Sequence, residues 1–483
     1  MSFSKLVGCS SLLFLSISAQ PPPADPFVGY WRGTVDMGST QADVGLDISK
    51  IDRTYVATAD DIGLRLFGIP VTFLVIVEET LHLEHPTLKA VYDANLSPDG
   101  QRLIGTLTYG KKYSMNLRRS VRPPLAGRPI HPQEPAGALS YSVDGVRFLG
   151  NSPDLRLRGT LFTPQGAGPF PAVVLVSMAG RLDRDETIAG QKPFLVLADL
   201  LAKRGIATLR VDSRSLGSDA IAGTHSSLVP IESIQTMADD ALSALRFLQK
   251  QSNVDSTRAG FVGHGEGGLA AALASQANEN AFLVLLASPG ISADRLEIER
   301  MVARFGGAST EGFDWFNSWI RGLIEIARRE PDPGAAKAKM AELTSSKKAG
   351  QPEAATTFVD PTVMQAMIDR VNSPGLREWI HREPAAILEQ LKIPVLVLAG
   401  SQDLEVPAAI NLPPLFAAMS KAGRPGSEAK ELPGLNHLFQ RCATCKEEEY
   451  GALQESFSPA AAQYIASWVL GLAKAQGPDT LRQ

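Results

Sequence analysis

The sequence predicts an α/β protein: a mostly parallel sheet with helices on both faces and a helical lid, preceded by a small all-β domain. Three observations carry that prediction. Residues 139–475 alternate continuous apolar segments with helical ones, the texture of a parallel sheet covered on both sides. Residues 27–120 break instead into short, often alternating segments separated by Gly, Pro and Asp-Gly turns. Between them, "VRPPLAGRPIHPQEPAGA" (121–138) holds five prolines and reads as an extended linker.

The chain begins "MSFSKLVGCSSLLFLSISAQPPP". A lysine, an apolar stretch from Leu6 to about Ala19, and Ile17-Ser18-Ala19 before Gln20 read as a signal peptide over residues 1–19. The mature protein is therefore expected to be secreted or periplasmic. The stretch is shorter than the ~20 apolar residues of a membrane-spanning helix, so no stable membrane insertion is expected. Leu6-Val7-Gly8-Cys9 resembles a lipobox, although most of the apolar region follows the cysteine instead of preceding it.

In residues 27–120, "YWRGTVDM", "QADVGLDISKI", "YVATADDI", "VTFLVIVEETLHLEH", "LKAVYDANL", "LIGTLTYG" and "YSMNLRR" are the strand segments. Short strands at regular spacing predict a small barrel or sandwich, with a stabilising or docking role as the plain reading. His82 and His85 form only a weak metal signal, because residues three apart on a strand face opposite ways.

From residue 139 onward, "SYSVDGVRFLG" and "LRLRGTLFTP" predict a hairpin. "AVVLVSMAG" then reads as a strand buried on both faces, "PFLVLADLLAKRG" as a helix and "IATLRVDS" as a strand. "TMADDALSALRFLQKQ" is a helix, "RAGFVGHG" a strand, "GGLAAALASQA" a helix, and "AFLVLLASPG" and "IPVLVLAGSQD" are strands. The alternation stops between about Ala293 and Leu391, where amphipathic helical pieces such as "FDWFNSWIRGLIEIARR" predict an insertion placed as a lid. Phe313, Trp315, Phe316 and Trp319 either line an apolar entrance beneath it or pack in its core.

Formal charge is 47 − 51 = −4, so no basic field argues for a nucleic-acid partner. Removal of the leader would take Cys9 and leave Cys442 and Cys445 in "QRCATCKEE". In an oxidising compartment such a pair reads as a local disulfide, since a metal site would want a second C-x-x-C. No metal or cofactor is implied.

"AGFVGHGEGGLAAALAS" (259–275) runs a strand into a glycine cluster and then a helix, the outline of a G-x-S-x-G elbow. With "GPFPAVVLVSMAGRLDRDE", "LAKRGIATLRVDSRSLGSD", "PVLVLAGSQDLEVP" and "LPGLNHLFQ", it makes residues 139–475 resemble the α/β-hydrolase superfamily. The similarity is to secreted bacterial esterases with a β-rich N-terminal domain, related to dienelactone-hydrolase-like and serine-aminopeptidase-like enzymes. It implies carboxylic-ester hydrolysis of a small-molecule substrate through a Ser-Asp-His triad without a cofactor. The acid maps to Asp403 and the base to His437, the carboxylate fixing the imidazole's tautomer and charge. Oxyanion donors map to the backbone N–H of Glu266 and one near Met178 or Ala179. Ser288, at a strand tip, reads as a cap or turn residue.

The nucleophile position holds Gly265. "SMAG" also stands where relatives carry an "SGSG"-like turn, and Ser215 where they carry the glycine of "RGxG". Three departures near one site point to drift or repurposing more than to a designed knockout. Glycine also relieves the strain of an elbow. The leading expectation is an impaired esterase. The alternative is a non-catalytic protein binding an ester, lactone or peptide-like ligand. A peptide or amide hydrolase ranks third, because no acidic cluster for a free amino terminus is legible. A further expectation is that the space left by the missing serine admits a water for His437 to activate.

Overall fold

The computed structural model describes residues 25–475, apart from 38–40, 52–53, 62–65, 72, 86–89, 121–132, 137, 181, 215–232, 278, 306–309, 351, 353–354 and 356–360. The expected signal peptide, most of the linker and Ser215 lie outside the described residues. Two compact units divide the chain, Met1–Ala57 with Phe73–Arg122 and Thr58–Thr72 with Pro123–Gln483.

The first sheet is built from β1 (Gly29–Asp36), β2 (Gln41–Ile51), β3 (Thr54–Asp61), β4 (Leu66–Pro70), β5 (Phe73–Val77), β6 (Thr80–His85), β7 (Ala90–Leu96), β8 (Arg102–Tyr109) and β9 (Lys111–Ser120). Its order is β4-β3-β2-β1-β9-β8-β7-β6-β5, so most neighbours in space are neighbours in sequence. The run read from sequence as one strand, "VTFLVIVEETLHLEH", is two: Glu78 takes a φ of 53° and turns β5 into β6. Trp31 is fully buried, its indole N–H donating to the Phe27 carbonyl at 2.9 Å and its ring covered by the Arg119 guanidinium at 4.3 Å. His82 lies between Asp93 and Glu84, 2.6 and 2.9 Å from their carboxylates. No group of three metal-ligating side chains forms among the described residues, and the His85 side chain is not among them.

The second sheet follows the hairpin β10 (Tyr141–Leu149) and β11 (Arg156–Pro164) with β12 (Phe170–Val176), α1 (Pro193–Ala202), β13 (Ala207–Val211), α2 (Ile234–Leu248), β14 (Val254–His264), α3 (Glu266–Ser275) and β15 (Leu283–Leu286). The insertion comes next: α4 (Ala293–Phe305), α5 (Thr310–Arg329), α6 (Pro333–Ala349), α7 (Pro361–Val371), α8 (Pro374–Trp379) and α9 (Pro384–Gln390). The chain then returns through β16 (Val395–Gly400), α10 (Ala408–Ala422), β17 (Glu428–Leu432) and α11 (Pro459–Ala475).

Strand order is β10-β11-β13-β12-β14-β15-β16-β17, parallel from β13 to β17 with an antiparallel hairpin at one edge. Along β12, Ala172, Val174 and Val176 join the core beneath α2 and α3, whereas Val173 and Leu175 join the one beneath α1 and α11. Burial on both faces is why this strand is a continuous apolar run, each valine or leucine contributing roughly 1.5–3 kcal/mol. β13 and β14 lie on opposite sides of β12, so the chain departs both ways from it, and the carboxyl ends of β12 and β14 form the switch point at which open α/β sheets hold their ligands. In the insertion, Trp315, Phe316 and Trp319 are core residues, leaving only Phe313 half-buried.

Candidate active site

Four loops at the carboxyl ends of β12, β14, β16 and β17 supply the site. The β14 strand ends at His264, and α3 starts at Glu266. Gly265 between them has φ 53° and ψ −127°, a backbone that side-chain-bearing residues rarely adopt. Its N–H donates to the Leu286 carbonyl at 2.9 Å, and its own carbonyl accepts from Gly268 at 3.0 Å. The turn is tight on the β12 side as well: a Cβ on Gly267 would collide with the carbonyls of Val176 and Ser177.

Asp403 follows β16 and is buried. One carboxylate oxygen accepts the N–H groups of Glu405 and Val406, both at 2.8 Å, and the other lies 2.9 Å from His437 Nδ1. His437 sits in the loop after β17, closed by paired bonds between Asn436 and Gln440 and by the Leu435–Arg441 bridge. Burial would push the Asp403 carboxyl up, but the His437 charge and these hydrogen bonds hold it below the usual range. Burial likewise opposes the His437 charge, yet Asp403 outweighs it and raises the imidazole above its ordinary value. The two form an acid–base pair with a fixed tautomer: Nδ1–H faces Asp403 and Nε2 faces the Met178 side chain.

At Nε2 stands Met178. Its Sδ lies 3.0 Å from the His437 nitrogen, and a Cβ built on Gly265 would meet Met178 Cγ at 2.8 Å and Sδ at 3.1 Å. The thioether therefore occupies the ground between residue 265 and the imidazole. The sequence leaves the second oxyanion donor open between Met178 and Ala179; of these, the Met178 N–H donates to Oε1 of the buried Glu186 at 2.8 Å. Ala179 is buried beside it, and the Glu266 N–H sits at the first position of α3.

Glu186 bridges further. Its other oxygen is 2.9 Å from His264 Nδ1, while His264 Nε2–H donates to the His437 carbonyl at 2.9 Å. One carboxylate and one imidazole thus tie together the loops after β12, β14 and β17. Behind them, a buried ionic cluster joins the insertion to α3. Arg300 of α4 reaches Glu266 at 3.0 Å, Glu297 at 2.8 Å and the Glu405 carbonyl at 2.8 Å; Arg370 of α7 reaches Glu297 at 2.9 Å. Burial would raise the Glu297 carboxyl, but Arg370 and Arg300 hold it below its ordinary value. Burial pushes Glu405 up to about 7 against the pull of Arg300.

Sequence reasoning placed Asp403, His437, Gly265 and Met178 near one another but missed Glu186, His264, Arg300, Glu297, Arg370 and Glu405. Glu186, His264 and Glu405 lay inside quoted motifs; for the arginines no local signal exists. Ser288 is buried, its hydroxyl directed at the Leu286 carbonyl and filling the space beside Gly268. Cys442 and Cys445 form a disulfide in the loop that follows His437.

The profile of the Alpha/beta hydrolase family matches residues 173–443. The chain is similar to Esterase EstD of Thermotoga maritima, 27 % identical over 252 residues, which are 52 % of this chain and 50 % of that protein. The chain spans about half the length of that curated relative. Among solved structures it is similar to hypothetical protein PA2218 from Pseudomonas aeruginosa, 15 % identical, covering 70 % of this chain and 96 % of that one at a TM-score of 0.41. Dienelactone hydrolase from Anabaena variabilis is 14 % identical, covering 69 % and 98 % at a TM-score of 0.37. At such scores these likenesses weigh nothing on function.

Proposed function

The chain belongs to the alpha/beta hydrolase family, and from that premise we propose that it descends from carboxylic-ester hydrolases and has lost the covalent step. One observation carries the reading: the Met178 thioether, 3.0 Å from His437 Nε2, stands where a side chain on residue 265 would project. In a working triad that nitrogen takes the proton of a serine hydroxyl while the oxygen attacks the ester carbonyl. Here there is no hydroxyl to activate, and the base is covered. The same thioether stands where an activated water would have to be, which counts against direct hydrolysis by His437. Similarity to an esterase supports small esters as the substrate class of the parent activity. Export to a secreted or periplasmic location belongs to the proposal too, supported by the apolar segment 6–19 and a disulfide.

Hydrolysis of short-chain p-nitrophenyl esters tests this on three proteins. The chain itself should give no acyl-enzyme burst. Gly265→Ser should give a weak one, and Gly265→Ser with Met178→Gly, which clears the thioether, a larger one. A stoichiometric burst from the unaltered chain would overturn the reading.

The intact Asp403–His437 pair favours a second reading, a binding protein for small esters, lactones or peptide-like molecules. Saturable binding of an ester that is released unchanged supports it; turnover at an ordinary esterase rate rules it out.

A further inference from the structure

Met178 touches more than the dyad. It also lines a cavity of about 50 Å³, bounded by β12, β13 and α2. That is several times the roughly 10–15 Å³ needed for one water. Its walls include Val176, Val211, Met237, Ala241 and Ala244, with the ion-paired Arg214 and Asp240 at its polar side. So the residue whose side chain covers His437 also borders a largely apolar space. Its backbone, by contrast, is held: the N–H is bonded to Glu186, which is bonded in turn to His264. Motion open to Met178 is motion of the side chain alone, and an unbranched thioether is the apolar side chain best suited to it.

We propose that Met178 is a side-chain gate on the Asp403–His437 pair: the thioether leaves His437 Nε2 and turns into the cavity between β12, β13 and α2, which opens a binding site for a small molecule carrying a carbonyl oxygen. The chemistry at Nε2 favours that ligand class. With Nδ1–H turned to Asp403, an imidazolium Nε2–H faces a sulfur, a weak acceptor, and a carbonyl oxygen is a stronger one. Neutral His437 presents a lone pair there instead, which attacks an electrophilic carbonyl. Either way the ligand competes for one nitrogen, and the gate must first move.

Diethyl pyrocarbonate, itself a small carbonyl compound, reports the gate without any need for catalysis. It transfers an ethoxycarbonyl group to a free imidazole nitrogen, with loss of ethanol and carbon dioxide. After tryptic cleavage His437 lies in the peptide from Glu431 to Arg441, which contains no other histidine. Three variants, each compared with the unaltered chain, decide the matter. Met178→Ala removes the cap and should label His437 at least tenfold faster than the unaltered chain. Ala244→Leu fills the receiving cavity, leaves Met178 in place, and should slow labelling severalfold. Combining the two should restore the fast rate, because the cavity matters only to a thioether that has to enter it.

Equal rates in Met178→Ala and the unaltered chain would overturn the proposal. So would Ala244→Leu labelling as fast as the unaltered chain, or a double variant as slow as Ala244→Leu alone. If Ala244→Leu does not fold, as judged by circular dichroism, Ala241→Val fills the cavity from the preceding turn of α2 and takes its place. None of these outcomes depends on ester turnover, so failure here is distinct from failure of the functional reading above.

Discussion

Arg300 of α4 donates to Glu266, the first residue of α3, across 3.0 Å in an environment where both side chains are about 5 % exposed. The insertion is thereby fastened to the helix that begins at Gly265. Arg300 also meets Glu297 and the carbonyl of Glu405, so it carries much of the positive charge for three buried acidic residues. Arg300→Met should lower the unfolding free energy by about 3–5 kcal/mol, because removing one partner strands buried carboxylates that cannot all turn to Arg370. Urea unfolding followed by tryptophan fluorescence measures it. A loss under about 1 kcal/mol would mean the cluster is solvated and holds nothing.

Gly265 should be worth more to stability as glycine than as any other residue. At φ 53° and ψ −127° a side-chain-bearing residue carries about 1–3 kcal/mol of strain, and its Cβ also presses on Met178. The strain and the contact both arise at Cβ, so Gly265→Ala and Gly265→Ser should be destabilised alike. Chemical denaturation of both tests this. A serine variant as stable as the glycine form would show that the turn relaxes when substituted.

Much of this architecture was legible because it repeats locally. Buried parallel strands are apolar runs, and Asp403 and His437 follow the two strands at one edge of the sheet. What stayed hidden depended on residues far apart in sequence. The direction of the Met178 side chain is set by a base loop about 260 positions away, and the Glu186–His264 bond spans 78. Local rules also failed in two places. The β5–β6 turn is made by Glu78 at positive φ without a glycine or asparagine, and α10 continues through Pro413 and Pro414, residues that ordinarily end a helix.

The Asp403–His437 pair should leave a signature in stability against pH. The His437 value is raised, so its contribution is fully present below about 6.5 and is lost as pH rises through the folded value. The Asp403 value is lowered, so its contribution is present above about 3.8 and is lost as pH falls through the folded value. Asp403→Asn should therefore be most destabilising, relative to the parent, between about pH 4 and 6.5. Melting temperatures across pH 3–9 would reveal the window; a difference independent of pH would show that the pair is not charged.

The disulfide near the base should contribute little beyond its own loop. Cys442 and Cys445 are three apart, and closing so short a ring is worth about 2 kcal/mol in the chain-entropy account. Glu449 independently holds that loop, accepting the N–H groups of Ala443, Thr444 and Cys445 at 2.7–2.9 Å; these bonds pull its carboxyl down to about 2. Replacing both cysteines by serine should lower stability by about 2 kcal/mol and leave diethyl pyrocarbonate labelling of His437 unchanged. A large change in labelling would instead tie the disulfide to the placement of the base.

Glu405 predicts the opposite pH trend from Asp403. Burial is the main cause of its rise to about 7, opposed by Arg300 and reinforced by Glu447 and Asp403, with His437 lowering it. A carboxyl that binds its proton more tightly when folded favours the native state most below its ordinary value of 4.5, and that advantage fades as pH climbs through 7. Glutamine has no proton to lose. Glu405→Gln should therefore match the parent near pH 4.5 and exceed it at pH 8 by about 1–3 kcal/mol. The Arg300 contact at 3.7 Å is too long to reverse that sign. Urea unfolding at the two pH values provides the check. A glutamine variant that is less stable at pH 8 would mean that Glu405 is ionised there and needed as a partner for Arg300.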